Sequence, residues 1–339
     1  MVSKAAKGSH VVDPAVLLPV HLGFAPAQIL AAAIRLNVFG HIAAGHRTAA
    51  AVADAAKATQ RGIRMLLDAV TSMNLLKKQG NRYQLVPLSR QYLVPSKRDY
   101  CGEMLADDTL WRNWTNLTEI IRTGRPAMHV DVQEKAEKFF PMLVRGLHVM
   151  NRALAGRVAK AIGAGVRRRG LHVLDVACGS GVWGIAVAEA DSRARVTAQD
   201  FPGLLDLTRQ YARQHKVEKR FDFLSGDLKT VDFGTGRFDV ALLGNIVHSE
   251  GEVSSRRLFK KLHQSLKPGG RIVIIDMIPN DQRTAPAFPL LFALNMLVNT
   301  SCGDTYSLEE YTLWLKEAGF KQVKTVNIGS HSPVIIAAR

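Results

Sequence analysis

One segment restricts the fold of this chain more than any other: an apolar run that leads directly into a glycine-rich turn. Residues 171–177 read Leu-His-Val-Leu-Asp-Val-Ala, and the turn that follows contains Gly179, Gly181 and Gly184. An apolar run of this length predicts a buried strand. Glycines after it allow the backbone to turn tightly, to approach a ligand closely and to begin a helix. The segment therefore predicts a strand, a ligand-binding turn and a helix in succession.

From this point onwards, the chain alternates between predicted strands and helices. Strands are expected over 171–177, 194–200, 221–227, 238–245 and 271–277, helices over 184–189, 204–215 and 254–266, and a late hairpin over 321–328 and 334–338. Repeated β-α units predict a parallel sheet with helices on both faces. The C-terminal half is therefore expected to be a Rossmann-like domain of seven strands.

An aspartate lies in or at the end of each of the first three predicted strands. Asp175 lies within the first, Asp200 ends the second and Asp227 ends the third. Each of them alone fits a loop cap as well as a ligand contact. Together they are better explained by a ligand, because open α/β sheets bind ligands at the carboxyl ends of their strands. A carboxylate after the second strand can accept bonds from ribose hydroxyls, and one after the third can accept a bond from an adenine amino group.

The N-terminal half has a different texture, with short predicted helices and one hairpin. Helices are expected over 27–36, 48–54, 60–73, 107–123 and 139–162, and the hairpin over 75–85. Two helices followed by a two-stranded wing are typical of a winged-helix domain. We therefore expect an α/β protein in three parts: a mostly helical winged-helix domain over 1–100, linking helices over 101–170, and the Rossmann-like domain over 171–339.

Composition and charge narrow the range of partners. The formal net charge is +16, and residues 1–170 carry 25 Lys and Arg against 11 Asp and Glu. This basic half fits contact with nucleic acid, an anionic membrane or an acidic substrate, but we favour a solvated surface. The three cysteines are too few and too scattered for a disulfide framework or a zinc site, which indicates a cytoplasmic protein without a bound metal. Prolines interrupt the apolar N-terminus, so neither a transmembrane helix nor a signal peptide is expected.

Three motifs carry a resemblance to a known family. Asp175-Val-Ala-Cys-Gly-Ser-Gly181, Gly226-Asp-Leu228 and Lys267-Pro-Gly-Gly270 resemble the motifs of class I S-adenosylmethionine-dependent methyltransferases. Over nearly its whole length, the chain is most similar to the bacterial relatives of plant caffeate and animal acetylserotonin O-methyltransferases. The resemblance implies transfer of a methyl group from S-adenosylmethionine, which becomes S-adenosylhomocysteine, to a hydroxyl of a small aromatic or secondary-metabolite acceptor. It also implies that the winged-helix part forms a homodimer and that the linking helices over 101–170 contribute to the substrate pocket.

The resemblance further implies which residues bind the cofactor. The predicted contacts are Asp175, Gly179 and Gly181 along the cofactor, Asp200 on the ribose, Asp227 and Leu228 beside the adenine, and Asn245 at the edge of the cleft. A nicotinamide oxidoreductase is the rival interpretation of the glycine turn, because Gly184 supplies the third glycine of its fingerprint. The Gly-Asp-Leu segment favours the methyl donor.

A histidine and an aspartate are the predicted catalytic pair. His248 follows the fourth strand, where the resembled family has a histidine base, and Asp276 ends the fifth, where it has a glutamate that orients the histidine. An unperturbed imidazole has a pKa of about 6.5 and can take a hydroxyl proton near neutrality. The plainer interpretations are that His248 only packs against its neighbours and that Asp276 only caps the end of its strand. Ser249 and Glu250 replace the family's Asp-Trp pair. A further family acid aligns with Thr305, one place after Asp304, and Asp304 stays open beside Asp276 as the carboxylate that supports His248.

Apolar segments with a few amides are expected to form the acceptor pocket. The predicted substrate residues are Phe288, Phe292, Asn295 and Asn299, with His148, Asn151, Phe139 and Met142 on the linking helix as weaker candidates. Phe288 and Phe292 are four residues apart, as are Asn295 and Asn299, so each pair shares one helix face. Core packing is the simpler interpretation of the phenylalanines, and a position facing solvent explains the asparagines equally well.

Two other functions stay open at this point. The same fold serves N- and C-methyltransferases, and the departures after His248 keep them as alternatives. The basic winged-helix part fits a nucleic-acid-binding protein with a vestigial cofactor site, although its second helix offers only Arg61 and Arg64 as basic residues. Steep salt dependence of DNA binding would identify such a protein. We favour a small-molecule enzyme that has neither nucleic acid nor a membrane as a partner.

Overall fold

The structure is a computed structural model of the chain, and it describes residues 13–128 and 133–339, without the side chains of residues 133–139. The side chain of Phe139 therefore lies outside the described residues. The chain divides into two compact units, residues 1–107 and residues 108–339. Each unit has a hydrophobic core of its own. The three parts expected from the sequence, with limits at residues 100 and 170, remain a prediction.

The first unit is mostly helical. Its elements are a 3₁₀ turn (Pro14–Leu17), α1 (Leu18–His21), α2 (Ala25–Arg35), α3 (Val38–Ala43), α4 (Ala49–Ala55), α5 (Gln60–Ser72), β1 (Leu76–Gln79), β2 (Arg82–Leu85), α6 (Pro87–Tyr92) and α7 (Gly102–Ala106). Thr48 and Thr59 cap α4 and α5, because their hydroxyls accept bonds from N–H groups of the first helical turn. α5 buries Ile63, Leu67 and Val70 on one face. β1 and β2 pair antiparallel directly after α5 and form the wing.

Apolar side chains remain exposed at the beginning of this unit. Those that are at least 45% exposed are Val16, Leu17, Leu18, Val20, Leu22 and Phe24. By length and composition alone, the stretch Pro14–Arg35 also suits a membrane-spanning helix. The backbone divides this stretch into the 3₁₀ turn, α1 and α2. An exposed apolar patch of this kind marks a surface that contacts another protein or a membrane.

The second unit contains one large sheet with helices around it. Its elements are α8 (Thr109–Trp114), α9 (Leu117–Thr123), α10 (Gln133–Ile162), β3 (His172–Val176), α11 (Val182–Ala190), β4 (Arg195–Asp200), α12 (Pro202–Gln214), β5 (Phe221–Ser225), β6 (Phe238–Gly244), α13 (Val247–Ser265), β7 (Leu266–Ile275), α14 (Ala287–Asn299), α15 (Leu308–Glu317), β8 (Lys321–Val326) and β9 (Val334–Ala338). The strand order is β5-β4-β3-β6-β7-β9-β8. The first five strands are parallel, and β9 runs antiparallel between β7 and β8. The seven-stranded Rossmann-like prediction is confirmed.

Both faces of this sheet are buried. Neighbouring residues of β3, Val173 and Leu174, belong to two apolar clusters on opposite faces. One cluster includes side chains of α10, α11 and α12, and the other includes side chains of α13 and α15. The strand order reverses beside β3, and sheets of this type bind ligands at the carboxyl ends of the strands next to such a reversal, here β3, β4 and β6.

Two helices differ from their predicted bounds in ways that affect the site. The segment predicted as one helix over 107–123 forms α8 and α9, which are separated near Thr115. The Asn116 N–H donates at 3.3 Å to the carbonyl of Asn113, three residues back, and such a tightened turn is typical of a helix end. α13 begins earlier than predicted, at Val247, and is kinked at Gly251, which has a φ of 72°. The early start places His248 in the first turn of α13.

Candidate active site

The carboxyl ends of β3, β4 and β5 form one edge of the sheet. β4 and β5 are in register up to Asp200 and Ser225, so they end side by side. The Gly226 N–H donates to the Asp200 carbonyl at 3.1 Å and holds the loop after β5 beside the end of β4. The predicted cofactor residues carried by these strand ends and the loops that follow them are Asp175, Gly179, Gly181, Asp200, Asp227 and Leu228.

Two glycines of the turn are required by close packing. Gly181 has a φ of 70°, and a Cβ built on it would lie 2.7 Å from the Thr208 methyl carbon. A Cβ on Gly184 would lie 2.7 Å from a Val196 methyl and 2.8 Å from an Asp175 carboxylate oxygen. Gly184 therefore lets α11 pack closely on β3 and β4. This packing role explains the third glycine without a dinucleotide.

Asp200 organises the glycine turn through its carboxylate. One oxygen accepts the Gly179 N–H at 2.7 Å, and the other accepts the Phe201 N–H at 2.8 Å. The residue is 6% exposed, so its carboxylate is largely removed from solvent. A carboxylate oxygen can accept more than one hydrogen bond. Asp200 can therefore hold the turn and accept bonds from ribose hydroxyls at the same time.

Two polar residues that sequence analysis did not select support this edge. The buried Gln199 side chain accepts the Ala177 N–H at 3.2 Å and donates to the Gly226 carbonyl at 2.6 Å, so it joins two loops. The Thr208 hydroxyl donates to the Gly179 carbonyl at 2.7 Å and ties α12 to the turn. A glutamine beside a strand-end acid is a weak signal in the sequence. Thr208 gives no signal, because its partner lies 29 residues away.

Asp175 is fully buried beneath the turn. Its Oδ2 accepts the Gly184 N–H at 2.8 Å, whereas Oδ1 has no hydrogen-bond partner among the residues that the structure describes. Burial raises the pKa of Asp175 to about 8, and the nearby charge of Asp200 adds to the effect. A buried carboxylate oxygen without a partner is costly. A positively charged ligand would offset this cost, so the residue fits the cationic cofactor that the resemblance implies.

His248 and Asp276 meet because their strands end at the same level. β6 and β7 are parallel neighbours with Gly244 opposite Ile275, and the Asn245 N–H donates to the Ile275 carbonyl at 2.8 Å. The His248 Nδ1 lies 2.5 Å from the Asp276 Oδ1, and both side chains are at most 7% exposed. A carboxylate at Nδ1 selects the tautomer that carries its proton there and leaves Nε2 as the acceptor. The predicted pair is therefore a buried histidine–carboxylate couple.

Three further donors hold the Asp276 carboxylate. The N–H groups of Met277 and His248 donate to it at 2.8 and 3.1 Å, and the Tyr311 hydroxyl donates at 3.3 Å. The aspartate is shorter than the family's glutamate, yet it reaches the imidazole because β7 ends beside β6. Sequence analysis missed Tyr311, which lies on α15 at a separation of 35 residues from Asp276.

An aromatic row leads away from the imidazole. The Phe292 ring lies edge-on to the His248 ring with centroids 5.0 Å apart, and Phe288 follows at 6.0 Å from Phe292. The His331 ring lies 5.4 Å from Phe288. Phe288 is 46% exposed, whereas Phe292 is half-buried. α14 therefore presents aromatic surface that runs from solvent to the predicted base.

The two predicted asparagines are bonded to α8. Asn295 accepts the Trp114 indole N–H at 3.1 Å, and Asn299 accepts the Asn113 amide N–H at 2.9 Å. Asn299 also donates to the Asn295 carbonyl at 2.9 Å. These bonds fasten α14, which carries Phe292, to α8. Contact of either asparagine with the acceptor stays a prediction.

His148 and Asn151 lie one turn apart on α10. His148 is buried with Nδ1 3.0 Å from the Ser180 hydroxyl, and its ring stacks on Tyr211 with centroids 3.8 Å apart. It therefore supports the glycine turn. A cavity of about 300 Å³ between α10 and α11 is lined in part by His148, Arg152, Glu189 and His215. None of its lining residues belongs to the catalytic pair or to the aromatic row, so we do not assign the acceptor to it.

The other acids near His248 have different partners. The Asp304 carboxylate lies 3.6 Å from Arg283, and the Asp304 N–H donates to the His248 carbonyl at 2.9 Å. Glu250, at the place of the family's tryptophan, accepts the Ser254 hydroxyl at 2.6 Å. Within the described part of the chain, Asp276 is thus the carboxylate bonded to the imidazole.

The fold and the site together are those of a class I methyltransferase, and comparisons with known proteins identify the family. Residues 116–321 match the model of the O-methyltransferase domain, and residues 19–95 match the model of the O-methyltransferase dimerisation domain. The chain belongs to this O-methyltransferase family, whose methyl donor is S-adenosylmethionine. Family membership decides against the nicotinamide-oxidoreductase interpretation of the glycine turn.

Individual relatives cover nearly the whole chain. It is 29% identical to a 3-hydroxy-5-methyl-1-naphthoate 3-O-methyltransferase of Streptomyces sahachiroi, over 94% of this chain and 92% of the relative. It is 25% identical to the N,N-dimethyltransferase OxyT of Streptomyces rimosus, over 90% of both chains. The structure of an O-methyltransferase family protein from Burkholderia thailandensis has a TM-score of 0.82 at 25% identity, covering 97% of this chain and 98% of that one.

Replacement of Asp200 should weaken cofactor binding specifically. In Asp200→Ala, we expect the affinity for S-adenosylhomocysteine to fall about 10- to 100-fold, because charge-assisted bonds from ribose are lost in a buried site. Isothermal titration calorimetry measures this change. Asp206→Ala on α12, where the side chain is 80% exposed, is the matched control and should bind as the wild type does. Unchanged affinity in Asp200→Ala would remove the ribose assignment.

The buried Asp175 should make the ligand-free protein less stable as the pH rises. Its pKa is about 8 in the folded state against 3.8 for an unperturbed group, so the unfolded chain loses this proton first. The free energy of unfolding of the wild type, relative to Asp175→Asn, should therefore fall between about pH 4 and about pH 8. Urea unfolding of both proteins across this range tests it, with the exposed Asp206→Asn as control. Parallel curves for the wild type and Asp175→Asn would contradict it.

Proposed function

We propose that this protein transfers the methyl group of S-adenosylmethionine to a hydroxyl of a small aromatic acceptor, with His248 as the general base. The observation that carries this proposal is the 2.5 Å contact between the buried His248 Nδ1 and Asp276. The contact leaves Nε2 to take a proton. A base at this place favours an acceptor that must lose a proton to become a good nucleophile, as a hydroxyl must near neutral pH.

The chain's own residues divide the work between binding and proton transfer. S-adenosylmethionine supplies an electrophilic methyl group on a sulfonium centre. Asp200 would hold the ribose, Asp227 and Leu228 would hold the adenine, and Asp175 would balance the positive charge of the cofactor. His248 Nε2 takes the hydroxyl proton of the acceptor, and the Asp276 carboxylate stabilises the imidazolium that forms. Holding the acceptor oxygen close to the methyl group contributes the largest share of the rate enhancement.

The proposed acceptor class rests on the aromatic row along α14. Phe292 lies 5.0 Å from His248, centroid to centroid, and Phe288 continues the row towards solvent. Aromatic rings favour offset or edge-to-face contact with other rings. The naphthoate named for the Streptomyces sahachiroi relative is an acceptor of this shape. These observations support a flat aromatic acceptor with a hydroxyl near the imidazole.

Replacement of the proposed base is the decisive test. In His248→Ala, we expect turnover per folded molecule to fall about 10²- to 10⁴-fold with cofactor affinity nearly unchanged, because general-base catalysis is lost. Steady-state assays on a panel of hydroxylated aromatic acceptors, with calorimetry and a melting curve for each variant, measure these quantities. His263→Ala is the matched control, because His263 lies on the same helix and packs on Phe320.

The same measurements separate the alternatives. If His248 contributes only to packing, His248→Ala should lower the melting temperature and leave the turnover per folded molecule unchanged. Full turnover with normal folding would remove His248 from the mechanism and favour the second candidate function, N- or C-methylation. The relative OxyT is named as an N,N-dimethyltransferase, which supports N-methylation as the second candidate function. An amine or carbon acceptor that is already nucleophilic requires no proton removal before attack.

We further propose that two copies of the chain associate through the exposed apolar residues at the start of the first unit. Residues 19–95 match a dimerisation domain, and the apolar patch between Val16 and Phe24 lies at its beginning. Stable interfaces between copies of one chain are large and apolar. A homodimer therefore explains this surface better than the membrane-spanning helix that its length and composition also permit.

A charged substitution in this patch should dissociate the dimer. Val20 is 77% exposed in the chain alone, and Val20→Glu should shift the protein towards monomer because a buried charge would lack a partner. Sedimentation velocity at micromolar concentration gives the mass of each species, to be compared with 37.2 kDa for one chain. Val166→Glu, where the valine is 81% exposed at a turn of the second unit, should not change the wild-type mass. A monomeric wild type would contradict the proposal.

Nucleic acid and membranes are not partners in the function that we propose, and we place the enzyme in the cytoplasm. The dimerisation domain gives the winged-helix part a role in protein contact. On α5, the helix that would have to read DNA, Arg64 pairs with Asp68, which also bonds Lys78 of the wing. These ion pairs reduce the positive charge available to phosphates. DNA binding with a steep salt dependence would overturn this view.

A further inference from the structure

We propose that Tyr311 is a positioning residue of the active site, which holds the Asp276 carboxylate in the orientation that faces His248. The inference rests on the proposed function, because it assumes that the His248–Asp276 couple supplies the base. Asp276 uses its two oxygens differently. Oδ1 lies 2.5 Å from the His248 Nδ1, whereas Oδ2 accepts the Tyr311 hydroxyl at 3.3 Å. The phenol and the imidazole thus bind the same carboxylate from two sides.

The structure holds the Tyr311 ring firmly in place. Ser307 and Glu310 form a capping box at the start of α15, and the Tyr311 N–H donates to the Ser307 carbonyl at 3.1 Å. The ring is fully buried and lies edge-on to Tyr306 with centroids 6.1 Å apart. Trp314 lies 6.0 Å away on the same helix. A ring so enclosed has little freedom, so its hydroxyl is presented to Asp276 from a constant direction.

The hydroxyl of Tyr311 acts as a donor. Burial and the adjacent carboxylate of Asp276 raise the pKa of Tyr311 well above its ordinary value. The phenol therefore keeps its proton throughout the pH range in which a histidine base works. With the N–H groups of Met277 and His248, it restrains rotation of the carboxylate. Such restraint keeps Oδ1 on the imidazole and Nε2 directed at the acceptor.

Removal of the hydroxyl has a kinetic consequence beyond looser packing. A phenol bond draws negative charge from the carboxylate, and without it the carboxylate binds the imidazolium more strongly. The imidazolium of His248 then loses its proton, and becomes available as a base, only at higher pH. In Tyr311→Phe, we expect kcat to fall about 3- to 15-fold, with KM for cofactor and acceptor within about twofold. The acid limb of the kcat/KM profile should move to higher pH by a few tenths of a unit.

The experiment compares Tyr311→Phe with a matched variant and a double variant. Tyr306→Phe removes a phenol from the same aromatic cluster, and no bond from Tyr306 to Asp276 is found within the described residues; we expect less than a twofold change and no movement of the acid limb. In an Asp276→Asn background, Tyr311→Phe should add less than twofold, because the group through which it acts is already altered. Phenylalanine keeps the ring, and melting curves verify that each variant folds.

A second measurement separates this inference from the proposed function. Nitrogen NMR shifts of labelled His248 report its tautomer and protonation without any turnover, and Tyr311→Phe should alter their pH dependence whereas Tyr306→Phe should not. Full activity in His248→Ala would overturn the proposed base, yet these spectra would still test the positioning. The inference is overturned if Tyr311→Phe matches the wild type in kcat, acid limb and spectra. Equal losses in the presence and absence of Asp276 would also overturn it, because they would assign Tyr311 to packing alone.

Discussion

The parallel pairing of β6 with β7 is the constraint on which the proposed chemistry depends. Gly244 lies opposite Ile275, and the residues that follow the two strands are therefore neighbours although 28 positions separate His248 from Asp276. A shift of one residue in this register would turn each following side chain to the other face. The register is held because both faces of the strands are buried. Burial of the sheet thus fixes the distance between an imidazole and a carboxylate.

Strand ends were the part of the site that sequence could predict. Apolar runs identified β3, β4, β5, β6 and β7. Asp175 lies within β3, Asp200 ends β4, and Asp227 and Asp276 follow closely after β5 and β7. The winged-helix pattern and the seven-stranded sheet followed from periodicity and turn residues in the same way. The prediction of one helix over 107–123 was wrong, because the chain tightens at Asn116 into a turn bonded three residues back, which periodicity does not reveal.

The residues that sequence analysis missed share a physical property: each acts through a partner that is distant in the chain. Gln199 bridges the loops after β3 and β5, Thr208 reaches the turn from α12, and Tyr311 reaches Asp276 from α15. A polar residue inside a helix or strand resembles any other until its partner is known. Asp175 presents the opposite case. Sequence analysis selected Asp175 as a cofactor residue. Its Oδ1 has no hydrogen-bond partner among the described residues, which destabilises the ligand-free fold, and this is visible only in three dimensions.

The two halves of the site are built from different parts of the sheet, and this separation bears on how the acceptor is chosen. The proposed cofactor site uses the ends of β3, β4 and β5, and the proposed base uses the ends of β6 and β7. The aromatic row lies on α14, which belongs to neither edge and is fastened by Asn295 and Asn299 to α8. Substitutions along α14 can therefore reshape the acceptor surface while the cofactor loops and the His248–Asp276 couple keep their bonds. If the proposed base and acceptor surface are correct, one methyl donor and one proton acceptor can serve many different hydroxylated rings, because only the side chains on α14 need to change.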